Sequence, residues 1–217
     1  MTYSEIRADA ALRTYIAKAD TSLKALSFTE HSFPHASLVA SRAGEVLHFL
    51  DYPERLCELA RIAGFLHDIG NLVNREEHSQ SGAVMVFRLL LERGFAPEEV
   101  AEIVTAIGNH DEGCGIPVSP LAAALILADK SDVRRSRVRQ DKDREFDIHD
   151  RVNFSVTESA LSVEKENATV TLTLSIDPAI SSVMDYFEIF HARMKLCRRA
   201  AQTLGLTFRL VINGQAL

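Results

Sequence analysis

The sequence predicts a mainly α-helical body followed by a small α+β appendage in β-β-α-β order. Three observations carry that expectation. Apolar residues recur at helical spacing, punctuated by Pro and Gly, from the start to about Arg139. Two later stretches, 152–158 and 169–176, alternate apolar with polar residues, the period of a half-buried strand. At 217 residues the chain is long enough for one large domain, or for a domain with an appendage.

The first helix is expected over 4–25, where Ile6, Leu12, Ile16 and Leu23 share a face, with Leu26 just beyond. Pro34 suits the first turn of a second, which carries Leu38, Val39, Val46 and Leu47 and runs to Leu50. Pro53 opens a third, ending near Gly70, a residue suited to a left-handed cap. A fourth runs from about Glu76 to Arg93 and stops at Gly94. Pro97 with Glu98 and Glu99 starts a fifth, complete by Gly113. The sixth begins near Pro120 and reads LAAALILADKSDV, apolar on every side through Ala128 and therefore expected to be buried all round.

The charged run from Arg139 to Arg151 is the expected linker, which places a helical domain at 1–140 and the appendage at 145–217. There, 152–158 and 169–176 flank a turn at Glu164–Asn167. Ile180, Val183, Met184, Phe187, Phe190, Met194, Cys197 and Leu204 then trace one stripe of a long amphipathic helix. LTFRLVI supplies the last strand before Asn213-Gly214.

A net charge of −6 argues against a general polyanion-binding surface, so nucleic acid is not the expected partner. Cys57, Cys114 and Cys197 are odd in number and widely separated, which fits neither a disulfide framework nor a CxxC knuckle. The N-terminus shows no signal-peptide core, and no stretch reaches the ~18 apolar residues of a membrane span. A cytoplasmic protein without a membrane partner is the expectation.

Asp129 follows the apolar run of the sixth helix directly, and a buried, unpaired carboxylate costs several kcal/mol or more unless a cation or dense hydrogen bonding meets it. The third helix repeats the arrangement, with AGFL running into His67 and Asp68. His35, His78 and His110 sit near helix ends. Imidazole and carboxylate together suit transition metals rather than magnesium or calcium. An aspartate beside a histidine can bridge two ions, and ions roughly 3.5–4 Å apart generate a hydroxide suited to attack on a phosphoester. Taken singly, each residue has a plainer reading: a hydrogen-bonded histidine, Asp129 paired with Arg134, Asp68 with Arg75.

The ordered set weighs against those plainer readings. His35 in HASLVA, His67 and Asp68 in AGFLHDIGN, His78 in REEHSQSGA, His110 in AIGNHDEG and Asp129 in LILADKSDV together resemble the HD superfamily of metal-dependent phosphohydrolases, over roughly residues 28–140. The resemblance implies an HD-domain helical bundle holding one or two divalent transition-metal ions (Fe, Mn, Zn, Ni or Co). It implies His35, His67, Asp68 and Asp129 around one ion, and Asp68, His78 and His110 around a second. His31 and Asp111 stand where HD-GYP phosphodiesterases have further ligands, so both are candidates for metal or pocket. The GYP motif itself is absent, and cyclic dinucleotide cleavage is not inferred.

Asn71 replaces the lysine that many HD hydrolases carry after HDIG, which leaves Arg75, Lys130 or Asn71 to contact phosphate. The short interval from His67 to His78 is similar to that of compact HD hydrolases acting on nucleotides. Arg134, Arg135, Arg137 and Arg139 read as a solvated face paired with Asp132, Asp141 and Asp143, while Lys130 and Asp132 suit roles just behind the ligands. His48, His149, His191 and Cys114 read as structural. The function implied is hydrolysis of a phosphoester or phosphoanhydride bond in a nucleotide-like small molecule, with Asp68 orienting the nucleophile. The appendage is expected to regulate or to assemble, as in a homodimer. A di-iron HD oxygenase and a non-catalytic, metal-holding ligand sensor are the rival readings.

Overall fold

A computed structural model describes residues 1–139 and 147–217. Its helical part comprises α1 (Tyr3–Ala8), α2 (Ala10–Ala25), α3 (Phe33–Phe49), α4 (Glu54–Leu66), α5 (His78–Glu92), α6 (Pro97–Gly108) and α7 (Pro120–Lys130). The expected helix over 4–25 is two helices. Asp9 takes an extended backbone with ψ 119°, and its carboxylate accepts from the amides of Ala11 and Leu12, capping α2. The third expected helix stops at Leu66 and passes into a 3₁₀ turn, Ile69–Leu72. His110 lies two residues beyond the end of α6 rather than within it.

α7 occupies the centre. Every residue from Leu121 to Lys130 is buried, as its unbroken apolar run predicts, and Ser119 caps its start through the amide of Ala122. It packs against α3, α4 and α6. α3 and α4 approach most closely along small residues: an added Cβ at Gly64 would sit 2.8 Å from the Cα of Ala40. That crossing places the start of α3 beside the end of α4, and so His35 beside His67.

The C-terminal part departs from expectation at its start. Residues 152–155, read as strand, belong to a helix, α8 (Ile148–Ser155), because Asp147 accepts from the amide of Asp150 and turns the chain inward. Helix therefore reaches back into the run read as a linker. Asp141, Asp143 and part of that run lie outside the described residues. Next come β1 (Val156–Glu164), β2 (Thr169–Ile176), α9 (Val183–Thr203), β3 (Thr207–Ile212) and a short β4 (Gln215–Ala216) that the sequence pattern did not reveal. The sheet order is β1-β2-β3-β4, with β2 and β3 parallel across α9 and the other pairs antiparallel. Asn213 and Gly214 both take positive φ (51° and 78°), the conformation a tight hairpin needs.

One contiguous hydrophobic core runs through both parts, from Ile6 to Ile212. α9 packs on α7. Arg42 of α3 reaches both the Ser131 hydroxyl (2.9 Å) and the Ser159 carbonyl of β1 (2.6 Å), tying sheet to bundle. No helix among the described residues is long and apolar enough to cross a membrane.

Candidate metal centre

Six side chains from five segments of the chain converge at one end of α7. His35, His67, His78 and His110 are almost fully buried, as is Asp129. Neighbouring imidazoles pack edge to face with centroids 4.9–5.1 Å apart, His35 on His67, His67 on His110 and His110 on His78. Asp68 stands between them. Its Oδ2 lies 3.5 Å from His35 Nε2 and 3.1 Å from His67 Nε2, while Oδ1 lies 3.4 Å from His78 Nε2 and 3.9 Å from His110 Nε2. Asp129 Oδ1 is 3.5 and 3.6 Å from the Nε2 atoms of His35 and His67. Donor atoms of His35, His67 and Asp129 lie within 4.8 Å of one another, and so do those of His67, Asp68 and His110.

The opposite edge of each ring explains the orientation. Nδ1 of His67 meets the Gly64 carbonyl at 2.8 Å, that of His78 the Arg75 carbonyl at 3.1 Å, and that of His110 the Ile107 carbonyl at 2.7 Å. A carbonyl only accepts, so these Nδ1 atoms carry the proton, and in the neutral ring the Nε2 lone pair points inward. His35 Nδ1 instead donates to Asp132 Oδ2 at 2.7 Å. Four inward lone pairs facing two carboxylates form a donor set suited to a divalent transition metal.

Electrostatics agree. Burial alone would depress His67, yet Asp68 and Asp129 outweigh it and raise its pKa to about 10. Burial and the nearby His67 charge push His110 down. Burial disfavours ionised Asp68 and Asp129, but the facing imidazoles, and Lys130 at Asp129, hold both well below the carboxylate range. The cluster thus keeps its carboxylates ionised and stores a proton that a metal ion would displace.

The surrounding residues sort by contact. Lys130 Nζ is 2.6 Å from Asp129 Oδ2, leaving Oδ1 to face the histidines. Asn71 donates to the Asp68 carbonyl (2.9 Å) and to its Oδ1 (3.1 Å), so it orients Asp68. Arg75 reaches Asn71 Oδ1 at 3.4 Å and lines an adjacent cavity. Asp111 Oδ1 is 3.9 Å from His78 Nε2. His31 lies edge-on to His35 at 5.4 Å, bonds the Thr29 carbonyl through Nδ1, and lines the same cavity.

The arginine run is a solvated face only in part: Arg135 is exposed and Arg134 pairs with Asp132 as expected, but Arg137 turns inward. Arg137 is buried and donates to the carbonyls of Glu30 and Asp132; Arg134 pairs with Asp132 at 2.6 Å; Arg139 pairs with Asp20; Arg135 bonds the Phe154 carbonyl. The chain turns back under the cluster after α7, so adjacent arginines meet different acceptors. Arg134 and Arg137 hold Asp132, and Asp132 holds His35. Asp132→Asn, which keeps the shape but removes the charge behind His35, is expected to weaken metal affinity about 10- to 100-fold by chelator competition. Unchanged affinity in a folded variant would show that this carboxylate does not tune the ring.

Sequence reasoning missed Glu112 and Arg193. Glu112 Oε1 accepts from Arg193 Nε at 2.7 Å and lies 3.8 Å from Lys130 Nζ. Glu112 follows the His110-Asp111 pair and offered a weak signal. Arg193, on the amphipathic α9, offered none.

Comparison with known proteins bears on this geometry. Residues 29–134 match the HD domain family model and form an HD domain. An uncharacterized protein of Methanocaldococcus jannaschii is 24% identical over 190 residues, which cover 76% of this chain and 70% of that one. Among solved structures, the crystal structure of a predicted HD superfamily hydrolase from an uncultured Thermotogales bacterium is 25% identical, with a TM-score of 0.46, covering 57% of this chain and 67% of its own.

Proposed function

For a chain that carries an HD domain, we propose metal-dependent hydrolysis of a phosphoester or phosphoanhydride bond, probed first on nucleotide-like small molecules. The observation that carries the reading is the division of Asp68: one carboxylate oxygen faces His35 and His67, the other faces His78 and His110. His35, His67, Asp68 and Asp129 would hold one ion, and Asp68, His78 and His110 would hold a second. Such ions, when bound, supply Lewis acidity toward phosphoryl oxygen and acidify water.

The chain's own groups do the rest. Lys130 and Asn71 fix the two carboxylates in one orientation, which removes reorganisation when charge develops in the reaction. Backbone carbonyls and Asp132 fix the ring tautomers. Arg75, beside His78 and facing the cavity, offers a guanidinium to phosphate oxygen.

Assay of nucleoside mono-, di- and triphosphates and of generic phosphomonoesters and phosphodiesters, with added manganese, cobalt or nickel, tests the reading. Turnover that depends on added metal and is abolished by chelation is expected. A folded, metal-loaded protein that cleaves none of them would contradict the reading. Oxygen consumption by the iron-loaded protein would instead favour an iron oxygenase.

A further inference from the structure

A cavity of about 710 Å³ opens beside the cluster and is bounded by the helical body, α8 and α9. From the body, His31 and Asp111 line it, and both border the histidine cluster. From α9 comes Arg193. Its Nε donates to Glu112 Oε1, and its guanidinium lies over the Phe190 ring, 4.0 Å from the centroid. Phe190 is itself buried against Tyr186. Glu112 continues to Lys130 and Lys130 to Asp129, so alternating charges run from a candidate ligand to α9.

Among the described residues, the terminal nitrogens of Arg193 make no hydrogen bond. The fork is held from behind by an ion pair and a stacked ring, and its remaining donors are unspent beside the cavity. A guanidinium fixed in this way matches two oxygens of a phosphate without first losing its own freedom. Across the cavity, Leu26 and Phe28 contribute apolar surface that is left exposed, 58% and 39% respectively.

We propose that α9 is the substrate-binding wall of this site, with Arg193 gripping the phosphate of an ester whose organic group lies against Phe28. The proposal rests on the phosphoester reading and goes beyond it. Arg193 lies past residue 134, where the HD match ends, so recognition of substrate falls to the segment whose sequence suggested regulation or assembly.

Calorimetric titration of the 217-residue chain, at matched metal content, with inorganic phosphate and with phenyl phosphate tests it. Loss of charged hydrogen bonds in Arg193→Gln is expected to weaken both ligands about 10- to 100-fold. Arg193→Lys should recover part of the loss. Arg198→Gln removes the same charge from an exposed position on α9 and should leave both affinities unchanged. Phe28→Ala should reduce the preference for phenyl phosphate over phosphate.

Equal affinities in wild type and Arg193→Gln, or equal losses in Arg193→Gln and Arg198→Gln, would overturn the role of Arg193 while leaving the phosphoester reading intact. If neither ligand binds the wild-type protein, the phosphoester reading fails and this assignment with it. Should Arg193→Gln lose metal or helical circular dichroism, Arg193→Lys decides by the same comparison. It keeps a charge opposite Glu112 but lacks the planar fork, so undiminished phosphate affinity in that variant would overturn the assignment.

Discussion

Asp68→Ala is expected to lose bound metal and turnover together, each at least about 100-fold, since losing a direct ligand exceeds the effect of losing a group behind one. Asp68 is the only carboxylate among the described residues whose two oxygens face different histidine pairs. Removing it leaves His35 and His67 on one side, and His78 and His110 on the other, with no shared anion. Asp129 still faces the first pair, whereas the second is left with Asp111, whose Oδ1 lies 3.9 Å from His78 Nε2. Metal content by elemental analysis and rate by phosphoester assay, on the same folded sample, check the prediction. Full turnover in the variant would remove Asp68 from the mechanism.

Gly64→Ala should act from a distance. A Cβ there meets the Cα and N of Ala40 at 2.8 Å and the carbonyl carbon of Val39 at 2.9 Å. These are backbone atoms, and no rotamer change relieves the overlap. α3 and α4 must part, and their separation is also the separation of His35 from His67, whose Nε2 atoms are 3.3 Å apart. The Gly64 carbonyl that orients His67 moves too. A cost of about 1–3 kcal/mol is expected, seen as a Tm lower by roughly 3–10 °C, together with weaker metal binding. An unchanged Tm would mean that the helix crossing yields more easily than the packing indicates.

The candidate site was legible in large part because its elements announce themselves locally. An apolar run that ends in an aspartate must be answered by a cation or by hydrogen bonds, and both Asp129 and the His67-Asp68 pair are placed by such runs. Helix starts at Pro34, Pro53, Pro97 and Pro120 were visible for a similar reason, since a fixed φ without an amide proton suits a first turn. Contacts made between distant stretches were not visible. The arginines after α7 looked like a charged surface because nothing local shows that Arg137 turns inward to the Glu30 and Asp132 carbonyls. Residues 152–155 alternate like a strand, yet the cap at Asp147 and the burial of Val152 make them helical. Arg193 sits on a helix whose periodicity describes packing on α7 and β3, and its partner Glu112 is far away in sequence.

The central claim is that these histidines and aspartates are a cation site, and titration of the metal-free chain with Mn²⁺ or Zn²⁺ in two buffers of different ionisation enthalpy tests it most directly. With its pKa raised to about 10, His67 is protonated at neutral pH until an ion displaces the proton. The account therefore predicts one or two ions per chain, protons released on binding, and affinity that falls as pH is lowered, by about tenfold per unit for each proton displaced. A folded chain that takes up no ion at neutral pH, even with metal in excess, would contradict it.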